Sequence, residues 1–415
     1  MLESWGGNGR AECGRHLVIC LDGVSYADFH ALQSEGHFPY LKPASRLIAP
    51  FPSLTNPAMV EILGPAGAPP AQGYQDHYYS RRDNALKGGI RQRLSSDFVG
   101  GSFRRIFDYH PTALRSSFEY LAPPYSCRAS ARENLRDGLK AFRQGRERFF
   151  TLYIGPTDCA AHTGGRHDLK RLLIFIDREL AKLAAENLSN RISLFSDHGN
   201  AYGHYRRLEL DGVLEKGGYR VEKKIESEKS VVLPLFGLVG SAAIHAHAEQ
   251  ALAIARLVAR TEGVHLACVK QGDTIFLYSG EGEARIQKQG RLLSYTPGPS
   301  DPLDLRGYAL GSVEEWFERT RDHRYPDAVN RLWTQSEAAV VNHATVLVSF
   351  KPGFYSGSRL LDFFVSLKAT HGSLDRDQSL GFIVTSDRTL PRWIRSQEAW
   401  QDLLRLDGTV RRPVD

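Results

Sequence analysis

Three stretches of almost unbroken apolar residues each run into an aspartate: HLVICL before Asp22, FFTLYIGPT before Asp158 and ISLFS before Asp197. Short continuous apolar runs of this kind predict strands buried on both faces, the pattern of a mainly parallel sheet with helices on either side. Residues 168–187 predict a helix with Asp168 at its N-cap, and residues 58–63 a second, shorter one. Ligand sites of such sheets lie beyond the carboxyl ends of the strands. The three aspartates are therefore expected to converge on one edge.

After about residue 205 the texture changes. A charged run covers 215–229, a helix is predicted near 248–259, and short strands are predicted from Val264 and from Thr274, with the turn Gln271-Gly272-Asp273 between them. A turn-rich stretch over 295–304 follows, and an apolar run returns at 345–350 before Thr370-His371-Gly372-Ser373. The division expected is an α/β core begun by 1–205, a cap-like α+β insertion over 206–335, and a return to the core over 336–415. No internal repeat interrupts this pattern.

With 415 residues and 42% of them hydrophobic, the chain can bury a sizeable core. The formal charge is +6, too dilute to diagnose nucleic-acid binding, but it is unevenly placed. Between Arg81 and Arg148 there are 15 Lys and Arg against seven Asp and Glu, which leaves the rest slightly acidic. The five cysteines, Cys13, Cys20, Cys127, Cys159 and Cys268, are odd in number and form no CxxC pair. That argues against a disulfide framework and against a zinc module, so reduced thiols are expected, with Cys20 and Cys159 in packing roles. No basic and apolar leader is apparent, and the apolar window 231–248 is broken by Pro234, Gly237 and Gly240. A soluble, cytoplasmic protein is the expectation.

An aspartate at a strand end is by default a turn or cap residue. The balance shifts because His162 follows Asp158 by four residues, His198 adjoins Asp197, and His371 lies in THGS. Carboxylates and imidazoles in this mixture suit zinc, or alternatively manganese, and the six residues Asp22, Asp158, His162, Asp197, His198 and His371 suffice for two sites of three ligands. Paired divalent ions about 4 Å apart clamp the attacking and leaving oxygens of an in-line phosphoryl displacement. The candidate nucleophile is Thr55 in FPSLTNPA, just ahead of a predicted helix whose free amides would face a phosphate. His245 and His247, with no acidic or thiol partner nearby, read as structural, and His204 as a loop residue. Gly6-Gly7-Asn8-Gly9 precedes the first strand, the wrong context for a dinucleotide loop.

LDGVSYADF, FPSLTNPA, IGPTDCAAH, FSDHGN and THGS, in this order along most of the chain, resemble the motifs of the alkaline phosphatase superfamily. The style is closest to its type I phosphodiesterase/nucleotide pyrophosphatase branch, and the TNP form of the nucleophile motif is also similar to that of phosphonoacetate hydrolases. The resemblance implies a three-layer sandwich with a mainly parallel central sheet. It also implies that Asp22, Thr55, Asp197 and His198 surround one metal, and that Asp158, His162 and His371 hold the other. The Cys/Ser-x-Pro-Ser-Arg context of sulfatases is not found. Where the phosphodiesterase branch commonly carries an Asn that donates to a phosphate oxygen, the run Gly73-Tyr74-Gln75-Asp76-His77 places His77. His77 and the Asn56 amide are thus the expected substrate-binding groups.

The function implied is hydrolysis of a phosphodiester or pyrophosphate bond in a phosphorylated small molecule, with nucleic acid disfavoured as a substrate. The alternatives are a phosphomonoesterase or phosphonate hydrolase of the same superfamily and, from another class, a catalytically weak protein that binds phosphate ligands.

Overall fold

The computed structural model describes residues 14–89, 97–110, 125–186 and 190–404. Cys13, the Gly6–Gly9 stretch, Arg91, Arg93, Arg115 and Asn187 lie outside the described residues.

A six-stranded sheet runs in the order Trp393–Arg395, Ser45–Ile48, Leu380–Thr385, Arg191–Phe195, His16–Leu21, Phe149–Ile154. All three strands expected to end at an aspartate are present. His16–Leu21 pairs in parallel with both neighbours, with His16 opposite Phe149 on one side and opposite Arg191 on the other, so the three carboxyl ends are level. Leu380–Thr385 is the one antiparallel strand of the six. Its amino end therefore lies at the edge where its neighbours' carboxyl ends lie, and the chain enters it from His371.

Side-chain alternation explains the burial of the continuous apolar runs. Leu17, Ile19 and Leu21 face a core shared with the helices Tyr125–Gln144 and Pro156–Glu186. Val18 and Cys20 face the opposite core, shared with the helices Thr55–Leu63 and Ser396–Leu404. Both faces are thus covered, and a strand in this position has no polar face to show.

A second, seven-stranded antiparallel sheet takes its strands from Ser241–Ile244 through Leu310–Gly311 and adds Val346–Phe350 between Ser241–Ile244 and Val264–Gln271. The expected turn is present, with Gln271 opposite Thr274. The helix Ala251–Ala259 packs on one face of this sheet. The other face joins a core that includes Phe51 and Leu54, so the loop before Thr55 is lodged between the two sheets.

Two expectations are corrected. The helix begins at Pro156, not Asp168, and is interrupted at Gly165, whose φ of 71° is non-helical. Asp168 lies one turn past that break and pairs with Arg128, so it is not the N-cap. Cys127 and Cys159 are not reduced packing thiols: they form a disulfide, with Cα atoms 5.7 Å apart. The pairing is between two helices that pack against each other, and a separation of 32 residues with no motif concealed it. Cys20 and Cys268 are free and buried. Among the described residues no helix is long and apolar enough to cross a membrane.

Candidate metal centre

The common edge of the sheet carries two clusters. Asp22, Asp197 and His198 form one, Asp158, His162 and His371 the other, and within each the ligand atoms lie within 4.8 Å of one another. The six residues singled out from the sequence are the same six. Asp22 follows its strand directly, Asp197 and His198 follow the neighbouring strand, and Asp158 and His162 occupy successive turns of the short helical segment before Gly165. The clusters adjoin: the His198 and His371 rings stack with centroids 3.7 Å apart, and the His162 ring meets His371 edge-on at 5.2 Å.

Each histidine that ends a loop is oriented by its second nitrogen. His371 Nδ1 pairs with the Ser53 carbonyl at 2.9 Å and His198 Nδ1 with the Gly199 carbonyl at 2.9 Å, which leaves each Nε2 lone pair for a cation. The carboxylates are held likewise. Tyr153 donates its hydroxyl to Asp22 Oδ2, and the Gly23 amide donates to Asp197 Oδ1 at 3.2 Å. Asn200 Nδ2 donates to Asp158 Oδ1 at 2.9 Å and to the Gly23 carbonyl at 2.7 Å, tying the two clusters together.

The electrostatics call for positive charge. Burial, and then the neighbouring carboxylates Asp197 and Asp158, push Asp22 well above the usual carboxylate range. Burial, opposed by the Gly23 amide, takes Asp197 up to about 7. Asp158 is also raised by burial, but His162 and His371 overcome this and hold it below its ordinary value. Burial first and the neighbouring His198 second push His371 down. Asp197 Oδ2 and His162 Nε2 are buried without a hydrogen-bond partner, facing His198 at 3.3 Å and Asp158 at 3.2 Å. Orphaned ligand atoms among crowded carboxyl and imidazole groups fit two divalent cations.

Thr55 opens the Thr55–Leu63 helix, and its Oγ1 lies 3.2 Å from His198 Nε2 and 3.4 Å from Asp22 Oδ1. Next to it, Asn56 Nδ2 donates to the Gly73 carbonyl at 3.4 Å and to Asp76 Oδ1 at 3.3 Å. Asn56 also lines a shallow cleft with Gly73, Asp76, Tyr78, Phe103 and Arg104. His77 is not brought to this group. It donates to the Leu235 carbonyl, its ring lies 6.2 Å from Phe236, and burial lowers its pKa. The side chain that reaches the Thr55 helix from this turn is Asp76, one residue earlier, with Arg104 3.9 Å away. His245 is buried with a pKa lowered to about 3 by burial, in keeping with a structural role.

No protein-family model matches the chain, and no curated protein does. Solved structures do. A phosphonoacetate hydrolase from Sinorhizobium meliloti 1021 in complex with phosphonoacetate covers 94% of this chain, and is itself covered to 94%, with 14% identity and a TM-score of 0.51. Human ectonucleotide pyrophosphatase/phosphodiesterase 5 covers 96%, is covered to 97%, and is 11% identical with a TM-score of 0.52. The chain shares their fold. An inactive variant of the murine phosphodiesterase in complex with AMP matches at 12% identity over 97% of both chains, with a TM-score of 0.51. The α/β architecture with a mostly parallel sheet that the motifs implied is thus found in proteins that carry sequences very different from this one.

Tyr153, Asn200 and Ser53 contribute to the centre but had no role assigned from sequence. Asn200 stands inside FSDHGN, where the adjacent ligands were a signal. Tyr153 and Ser53 act through a hydroxyl and a carbonyl whose targets are more than 130 residues away, and no local pattern marks them.

Proposed function

We propose that the protein is a metal-dependent hydrolase of phosphodiester or pyrophosphate bonds in phosphorylated small molecules, with Thr55 as nucleophile. Asp22, Asp197 and His198 would hold one divalent cation, and Asp158, His162 and His371 the other; the mixed N and O donors suit zinc, with manganese the alternative. When bound, such ions supply Lewis-acid charge to the attacking and leaving oxygens. The observation that carries the reading is Thr55 Oγ1 at 3.2 Å from His198 Nε2 and 3.4 Å from Asp22 Oδ1, at the first turn of a helix.

Thr55 Oγ1 gives up its proton and forms a bond to phosphorus while the bond to the leaving oxygen breaks. The products are a phosphothreonine that keeps the remaining substituent and a leaving alcohol or phosphate that takes up the proton. Water then cleaves that ester and releases the phosphate product. The unpaired amides of the first helical turn, that of Asn56 among them, donate to the non-bridging oxygens. The Asp22 carboxylate, held by Tyr153, accepts from the Thr55 hydroxyl and fixes its direction. Residues 206–335 are read as an insertion that caps this core.

The preference for a diester rests on motif likeness to the phosphodiesterase branch and is tested by parallel turnover of bis(4-nitrophenyl) phosphate, 4-nitrophenyl phosphate and phosphonoacetate with added zinc. The diester is expected to react fastest, and a preference for either other substrate reassigns the reaction. Thr55→Ala is expected to keep both metals and lose turnover by at least about a thousandfold, equivalent to about 4 kcal/mol of barrier. Full activity in that variant removes Thr55 from the mechanism.

A further inference from the structure

We propose that Arg331 is a positioning residue that fixes the loop carrying Thr55 against the loop carrying His371, so that a helix outside the α/β core aligns nucleophile and metal ligand. The proposal rests on the hydrolytic reading above.

Arg331 lies on the helix Ala328–Thr334 and is 3% exposed. Its Nη2 donates to the Pro50 carbonyl at 3.3 Å, to Ser53 Oγ at 2.9 Å and to Ser379 Oγ at 2.7 Å. Its Nη1 donates to the Pro326 carbonyl at 3.0 Å and to the Leu374 carbonyl at 3.3 Å. Pro50 and Ser53 belong to the loop that ends at Thr55, while Leu374 and Ser379 belong to the segment that follows His371. The same two loops meet directly through Ser53, whose carbonyl holds His371 Nδ1 at 2.9 Å and whose hydroxyl donates to the Ser373 carbonyl at 3.0 Å. Five acceptors from three segments thus converge on one planar fork, a geometry that the single nitrogen of a lysine cannot reproduce.

The helix is set into place under backbone strain. Asp327 at its start and Gln335 and Ser336 at its end have φ of 49°, 46° and 56°, left-handed values that side chains disfavour. Ser336 Oγ, two residues past the end of this helix, donates to the Phe51 carbonyl at 3.0 Å, a second hold on the Thr55 loop. Asp327 is engaged elsewhere, by Arg395 at 2.8 Å, so Nη1 and Nη2 of Arg331 are met by carbonyls and hydroxyls and not by a contacting carboxylate, while its Nε is buried without a partner. A buried cation spent on neutral acceptors adds less stability than an apolar side chain of its size would. Its return is alignment: displacement of a reacting group by about 1 Å costs on the order of a hundredfold in rate.

The test compares Arg331→Lys with Ile254→Ala, a destabilising change in the core on the far face of the antiparallel sheet. Turnover of bis(4-nitrophenyl) phosphate at saturating zinc is measured beside zinc affinity by chelator competition and melting temperature. Arg331→Lys is expected to lower kcat on the order of a hundredfold with KM within about threefold. It is also expected to weaken one of two zinc equivalents at least about tenfold. Ile254→Ala is expected to lower the melting temperature and change neither. Wild-type kcat and zinc affinities in Arg331→Lys, or the same kcat loss in Ile254→Ala, overturn the proposal. Where the wild type turns over no phosphoester, the hydrolytic reading fails, and the zinc competition alone decides: one weakened equivalent upholds the clamp and two unchanged ones overturn it. Should Arg331→Lys not fold, Ser53→Ala, which removes one acceptor, is expected to lower kcat about fivefold in the same sense, and an unchanged kcat and zinc affinity overturn the clamp.

Discussion

Gly23 follows Asp22 with φ of +66°, and a Cβ there would lie 2.2 Å from Asp158 Oδ1 and 2.8 Å from Asn200 Nδ2. The backbone passes so close to the second cluster that a single methyl group occupies the space of a ligand atom, besides forcing an L-residue into the left-handed region. Gly23→Ala is therefore expected to displace Asp158, to reduce bound zinc from two equivalents toward one by elemental analysis, and to lower kcat at least about tenfold. Two equivalents in that variant contradict the geometry. The six clustered acids and imidazoles were legible in the sequence because each stands beside a strand run or in a short motif. Their supports were not: Tyr153 reads as one more apolar strand residue, and Arg331 as an ordinary helical cation. From the bend over residues 72–76 it is Asp76 that reaches the Thr55 helix, while His77 opens the strand His77–Ser80 and its side chain pairs elsewhere, a one-residue difference that no sequence pattern marks.

Among the elements, the Thr55–Leu63 helix carries its own titration. Burial pushes Glu61 from its ordinary 4.5 up to about 7, with the Ser396 hydroxyl and then the Arg331 charge working in the opposite direction. The folded state thus favours the neutral acid, so this contribution to stability is complete below pH of about 4 and lost as pH rises through about 7. Glu61→Gln is expected to gain on wild type by about 2 kcal/mol between pH 5 and pH 9 in urea unfolding, and a constant difference shows that Glu61 does not titrate there. Helices and strands were read well where periodicity or apolar continuity marked them, as at Val264–Gln271 and Ala251–Ala259. The Pro156–Glu186 helix was begun too late because its first turns hold Asp158, His162 and two glycines, a composition chosen by the site and not by helix propensity. The Cys127–Cys159 bond escaped for want of any local signal.

At the scale of the whole molecule, the charge asymmetry gives a field more than a set of pairs. Within the basic 81–148 segment, Arg104 faces Asp76, Arg128 pairs with Asp168 and Arg143 with Glu186, while Arg81 and Arg82 are exposed on the turn after His77–Ser80. Neutralising Arg81 and Arg82 together is expected to raise KM for an anionic diester severalfold at low ionic strength and little at 0.5 M salt, because the Debye length shrinks below about 5 Å. No change at low salt assigns the pair to structure alone. The fold class was legible because buried parallel strands leave a strong imprint, whereas the partition of the second sheet was not, since Val346–Phe350 returns to it from far along the chain. The single antiparallel strand of the central sheet has a consequence for synthesis. Because the chain enters it from His371, the centre draws ligands from Asp22 to His371, nearly the whole sequence, and its contact order is correspondingly high. The loop carrying Asp197 and His198 is itself held by this late strand and the residues leading into it, through the Ser196 amide to the Phe382 carbonyl at 2.8 Å and the Gly199 amide to the Gln378 carbonyl at 3.2 Å, so a chain still emerging from the ribosome lacks supports of both clusters. Both clusters would then be completed together, only after residue 385 has emerged and its strand has slotted between its two neighbours.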